Sequence, residues 1–176
     1  KIIFMAYEKK NYGKWNGGYK KAEKPVYKPK RGAFKPLMTE EEKSSANVED
    51  LAYDFACRIT RLYQWGMEGS REFGNQGVDS LSPSIPKSLL SQIFRSGTSI
   101  GANLNEARHP QSDADFLSKA NIALKEPRET EYWLNLLHDN GYLNDDQFGS
   151  LGHDCTRIIK ILTSIVKTMR QKLGKE

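Results

Sequence analysis

Two cysteines in 176 residues are too few for the disulfide framework that staples small secreted domains. Cys57 and Cys155 both fall where apolar residues recur at helical spacing, so each is expected to be a reduced, buried thiol that packs as a small hydrophobe. Long apolar runs are missing as well. No stretch approaches the roughly 18 residues that a membrane-crossing helix needs, and the first residues lack the apolar centre of a signal peptide. The expectation is a cytoplasmic protein with no membrane partner, whose natural start is Met5. Apolar residues make up only 38% of the chain, and the mean hydropathy is −0.68. Part of the chain is therefore expected to stay outside any core.

Catalytic signatures are missing too. There is no Gly-Lys-Ser/Thr phosphate loop, no pair of histidines flanking a glutamate on a helix, and no Cys-x-x-Cys pair. Gly13, Gly17 and Gly18 follow no strand and open no helix, so they do not form a nucleotide loop. His153-Asp154-Cys155 is the one cluster of ligand types, yet consecutive helical residues point in different directions and cannot converge on one ion. The expectation is a protein with no catalytic residues, no metal and no cofactor.

What the chain does have is charge, unevenly placed. Residues 1–36 hold 11 basic and 2 acidic residues, a net of +9, which leaves 16 basic and 20 acidic residues, a net of −4, in 37–176. The basic segment is rich in Gly and Pro and has no apolar period, so disorder is expected there. Tyr7, Tyr12, Trp15, Tyr19, Tyr27 and Phe34 interleave with its cations. Lys9, Lys10, Lys14, Lys20, Lys21, Lys28, Lys30 and Arg31 can neutralise phosphates while rings such as Trp15 stack on unpaired bases. A merely solvated tail, or a peptide that docks on an acidic protein surface, is compatible with the same composition.

From residue 47 onward the pattern is helical. Thr39-Glu40-Glu41-Glu42 and Ser44 to Asn47 read as a helix entrance with Asn47 as N-cap, Glu49 and Asp50 at the positive end of the dipole, and Val48, Leu51, Phe55, Ile59 and Leu62 as one apolar face. A glycine- and proline-rich connection is expected over 66–86. A second helix should run from Pro86 to Arg108 on the stripe Leu89, Ile93, Gly97, Ile100 and Leu104. Its small residues Ser96, Gly97, Ser99, Gly101 and Ala102 would admit a close neighbour. Ser112 caps a third, which should end near Asn140-Gly141 and pass through Pro127 with a kink. The fourth is expected from Asp145 to Leu173, with Arg157, Lys160, Lys167 and Arg170 opposite its apolar stripe. The fold class is all-α, an antiparallel up-down four-helix bundle over 47–176, preceded by a disordered basic tail over 1–46.

Ser99, Asn103 and Glu106 share one face of the second helix, where polar residues more often satisfy one another, or Tyr132 and Trp133 across a packed seam, than form an active site. Glu126, Glu129 and Glu131 read as a solvated or subunit-pairing face, and Trp133 as core or interface. The run 90–106, Leu-Ser-Gln-Ile-Phe-Arg-Ser-Gly-Thr-Ser-Ile-Gly-Ala-Asn-Leu-Asn-Glu, is followed by Lys119-Ala-Asn-Ile-Ala-Leu-Lys-Glu126 and Glu129-Thr-Glu-Tyr-Trp-Leu134. Together these resemble the four-helix-bundle proteins encoded in intervening sequences of bacterial 23S ribosomal RNA genes, a family that includes accessory variability proteins of diversity-generating retroelements. The resemblance covers roughly 48–173. It implies a ring-shaped homopentamer that, in the retroelement branch, binds nucleic acid and the reverse transcriptase. The basic tail and the net acidic body depart from that pattern. The expected function is a non-enzymatic oligomeric scaffold for RNA or DNA, with a protein–protein adaptor lacking nucleic-acid contact as the alternative.

Overall fold

The computed structural model describes Pro36, residues 38–72 and residues 85–174. Among the described residues the chain forms α1 (Glu40–Ser45), α2 (Val48–Glu72), α3 (Lys87–Ala107), α4 (Asp113–Asp139) and α5 (Asp145–Lys172), with no strand. The four long helices pack in ring order, α2 on α3, α3 on α4, α4 on α5 and α5 back on α2. This is the antiparallel bundle that the periodicity implies. The caps fall where the sequence places them: Asn47 Oδ1 accepts from the Asp50 amide at 2.8 Å, and Ser112 Oγ from the Asp115 amide at 3.1 Å. Asn144 and Gln147 form a reciprocal capping box at the start of α5. Gly141, at φ 73°, supplies the left-handed turn that ends α4.

The core follows the apolar stripes. Phe55, Ile59 and Leu62 of α2, Leu90, Ile93 and Ile100 of α3, Leu134 and Leu137 of α4, and Leu151, Ile158 and Leu162 of α5 are fully enclosed. Leu104 joins them at the edge. A smaller cluster of Leu117, Ala120 and Val166 closes the end near the start of α4.

Two features depart from the sequence reading. The expected connection after Gly66 begins later, because α2 runs on to Glu72. Gly66 is tolerated inside the helix because Leu90 presses on it: an added Cβ would lie 2.6 Å from Leu90 Cδ2. The helix entrance expected at Thr39–Glu42 opens a short helix of its own, α1, inside the stretch assigned to the tail, with a Thr39–Glu42 capping box.

The small residues of α3 serve contacts inside the chain. A Cβ on Gly97 would meet Ile59 Cγ1 at 2.8 Å and Cγ2 at 2.9 Å. On the α4 side the Ser96 and Thr130 hydroxyls meet at 2.9 Å, both buried. Each also lies within hydrogen-bond reach of a carbonyl one turn back, Gln92 at 3.1 Å and Glu126 at 2.8 Å. The α4 helix continues through Pro127, whose carbonyl accepts from the Cys155 thiol at 3.1 Å. Ile59 is β-branched, so the atoms facing Gly97 sit close to its backbone and cannot swing aside. Gly97→Ala should therefore cost about 1–3 kcal/mol of unfolding free energy in a denaturant titration, despite its higher helix propensity. A stabilising effect would show that the two helices separate freely.

Candidate nucleic-acid interface

The α5 helix carries three different surfaces around its circumference. Its apolar stripe enters the core. A second strip, Ser150, Asp154 and Arg157, faces α1 and α2. A third, Lys160, Thr163, Lys167 and Arg170, is exposed.

The second strip holds a buried ion cluster. Lys43 of α1 is 2% exposed, and its ammonium donates to both Asp154 carboxylate oxygens at 2.7 and 2.8 Å. Arg58 of α2, 0% exposed, pairs with Asp154 Oδ2 and donates to Ser150 Oγ at 2.7 Å and Ser150 O at 3.1 Å. Arg157 donates from Nη2 to the Lys43 carbonyl at 2.6 Å and lies 3.9 Å from Glu40. The sequence reading overlooked these partners, since Lys43 stands 111 residues from Asp154 and Arg58 stands 96. A signal was available on the helical wheel: Arg58 and Asp154 both border apolar stripes, between Phe55 and Ile59 and between Leu151 and Ile158.

His153-Asp154-Cys155 thus points into three environments. The His153 side chain is exposed, Asp154 is held by two cations, and the Cys155 thiol sits in the core, where burial pushes its pKa up to about 12. A thiol held so far into the neutral form is a poor nucleophile at neutral pH. Among the described residues no group of three or more His, Cys, Asp or Glu is placed to hold a metal ion.

The third strip is the cationic one. Between Asp154 and Glu176 the chain has six basic residues and no acidic one. Lys160 and Lys167 are two turns apart on one face, roughly 10 Å along the axis, and Arg170 follows a turn later. Asn121 of α4 and Thr163, Lys167, Arg170 and Gln171 of α5 line an open groove of about 680 Å³. Arg170 Nη2 is 3.4 Å from Asn121 Oδ1, at the long end of the hydrogen-bond range. Lys172, beyond it, pairs with Asp113 at 2.7 Å. Arg157 does not join this row, because it is turned toward α1. Lys9, Lys10, Lys14, Trp15, Lys20, Lys21, Lys28, Lys30 and Arg31 lie outside the described residues.

The motif residues of α3 and α4 occupy another side of the bundle. Ser99 and Asn103 are half-buried and Glu106 is exposed. Asn103 Nδ2 donates to the Ser99 carbonyl at 2.8 Å, within its own helix. That is pairing within the group, one of the two arrangements expected for it. Trp133 is half-buried, with its indole N–H on Glu129 Oε1 at 3.2 Å and its ring edge-on to Tyr132. Glu126 lies nearby, its carboxyl raised above the ordinary range by burial and by Glu129.

A family model described as 23S rRNA-intervening sequence protein matches residues 67–164, more than half of the chain and all of the α3–α4 motif. The chain belongs to this family. A solved structure of a protein with unknown function from the S23 ribosomal protein family of Bacteroides thetaiotaomicron is 43% identical, covering 69% of this chain and 99% of that one, with a TM-score of 0.58. No curated protein matches the chain. The basic segment 1–36 lies outside the residues matched by the family model, as do Lys43, Arg58 and Arg170. Among the described residues no helix is long and apolar enough to cross a membrane.

Asp154 is the partner shared by both buried cations. Asp154→Asn keeps the shape and removes the buried charge that Lys43 and Arg58 share. The expected loss is about 3–5 kcal/mol of stability in a denaturant titration. A loss below about 1 kcal/mol would mean that water already reaches the cluster.

Proposed function

We propose that the protein is a non-enzymatic, oligomeric scaffold that binds nucleic acid through two cationic elements, the α5 row and the basic segment 1–36. The observation that carries this reading is the acid-free second half of α5, which presents Lys160, Lys167 and Arg170 to solvent beside a groove with amide and hydroxyl donors. Cations along one face of a rigid helix suit a phosphate backbone, and a body that is otherwise net acidic would confine the polyanion to that face. The family's tie to ribosomal RNA genes favours RNA as one ligand. The resemblance to retroelement accessory proteins extends the reading to a reverse transcriptase as protein partner and to a homopentamer as the working form.

The assembly carries its own check. Light scattering at micromolar concentration should return a multiple of the 20.0 kDa chain mass, with five copies as the expected value. A 20.0 kDa particle would remove the oligomeric part of the reading. Gly97 gives it no support, because its close neighbour is Ile59 of the same chain.

Binding should be tested across a salt series. Deleting residues 1–36 removes 11 of the 27 basic residues, so affinity should fall strongly and its salt slope should flatten. Changing Lys160, Lys167 and Arg170 together to Gln should weaken binding with a smaller change in slope. In an oligomer the tails act together, which multiplies weak contacts by effective concentration. Unchanged affinity and slope in both variants would favour the protein–protein adaptor.

A further inference from the structure

The α1 helix is held to the bundle in an unusual way. It has six residues, far short of the roughly 12 at which isolated helices become even marginally stable in water. Its only buried side chain is a lysine. Docking therefore rests on polar contacts: Lys43 on Asp154, the Lys43 carbonyl on Arg157, and Glu40 near both cations. One of those partners, Arg157, begins the acid-free stretch of α5. When α1 is docked, three exposed carboxylates, Glu40, Glu41 and Glu42, sit on the element that occupies Arg157. Docking thus subtracts one cation from the phosphate-binding side of α5 and adds negative charge next to it.

We propose that α1 is an autoinhibitory latch: docked, it withholds Arg157 from a polyanion, and nucleic acid bound on α5 and docked α1 disfavour each other. This rests on the nucleic-acid reading above. In the undocked state Arg157 is released to join Lys160, and Lys43 leaves its buried site to become a further cation at the base of the basic segment. The Asp154–Arg58 pair remains, so the bundle keeps its counter-ion balance when α1 leaves. Because coupling between two equilibria is reciprocal, the ligand must loosen α1 by the same factor by which α1 weakens the ligand.

The sign of one substitution separates the latch from simple electrostatics. Lys43→Gln removes a cation, which by charge alone weakens polyanion binding. By undocking α1 it should instead tighten binding of a fluorescein-labelled oligothymidine to the full chain by about fivefold or more. The salt slope should also steepen by about one phosphate contact, that of Arg157. Hydrogen exchange keeps the idea open to refutation if the variant folds poorly: in the unsubstituted chain, oligothymidine should speed exchange of the Lys43, Ser44 and Ser45 amides while the core of α3 stays protected. Equal or weaker binding by Lys43→Gln, α1 amides still protected in that variant, or α1 exchange unchanged by bound oligothymidine would each overturn the latch and leave the nucleic-acid reading standing. If neither protein binds oligothymidine, that reading fails and the latch falls with it.

Discussion

A single carboxylate, that of Asp154, ties together three elements that the apolar core alone does not position. The seam between α2 and α5 is the thinnest of the four helix pairs, and Arg58 crosses it to reach Asp154 and Ser150. Lys43 brings α1 onto the same oxygens. Removing such groups from water costs several kcal/mol per ion, and the pairing offsets that cost only when every charge is met. Slipping α5 by one residue against α2 would part Arg58 from Asp154 and Ser150, so the cluster penalises wrong registers more than it adds to overall stability. That places its main effect on which arrangement forms.

Close packing does the complementary work on the other side of α2. Gly97 lets the α3 backbone approach Ile59, and Gly66 does the same for Leu90 one turn from the end of the described core. Elsewhere Phe55 and leucines from all four long helices fill the core. The Ser96–Thr130 hydroxyl pair shows the same economy: two small polar groups satisfy one another inside the α3–α4 seam, so neither is left unpaired in an apolar setting.

The division of labour on α5 connects fold to function. Residues three to four positions apart stay on one face, so an apolar stripe, a polar clasp and a cationic row can coexist on one helix without interfering. Arg157 lies at the border between clasp and row, and that border position is what links α1 to the cationic side. Acidic residues occur on every other helix and at the start of α5, whereas the second half of α5 has none, which makes it a distinct electropositive region.

Much of this architecture was legible in the sequence because helices are local. The 3.6-residue period of Leu51-Phe55-Ile59-Leu62 and of Ile93-Gly97-Ile100-Leu104 selects the buried faces. Asn47, Ser112 and Gly141 mark ends through backbone groups only a few residues away. The cationic row was legible for the same reason. What stayed hidden was every feature made by residues far apart in the chain. Lys43 fell in the stretch assigned to the tail, Asp154 in a triplet whose side chains diverge, Gly66 at the start of a loop and Arg157 among the phosphate ligands. Their roles depend on which surface arrives opposite them: Asp154 for Lys43, two cations for Asp154, Leu90 for Gly66 and the Lys43 carbonyl for Arg157. Local propensity and periodicity determined the helices, their caps and their buried faces; only the packing of those helices decided which charges left water, since burial belongs to pairs of elements and has no local signature.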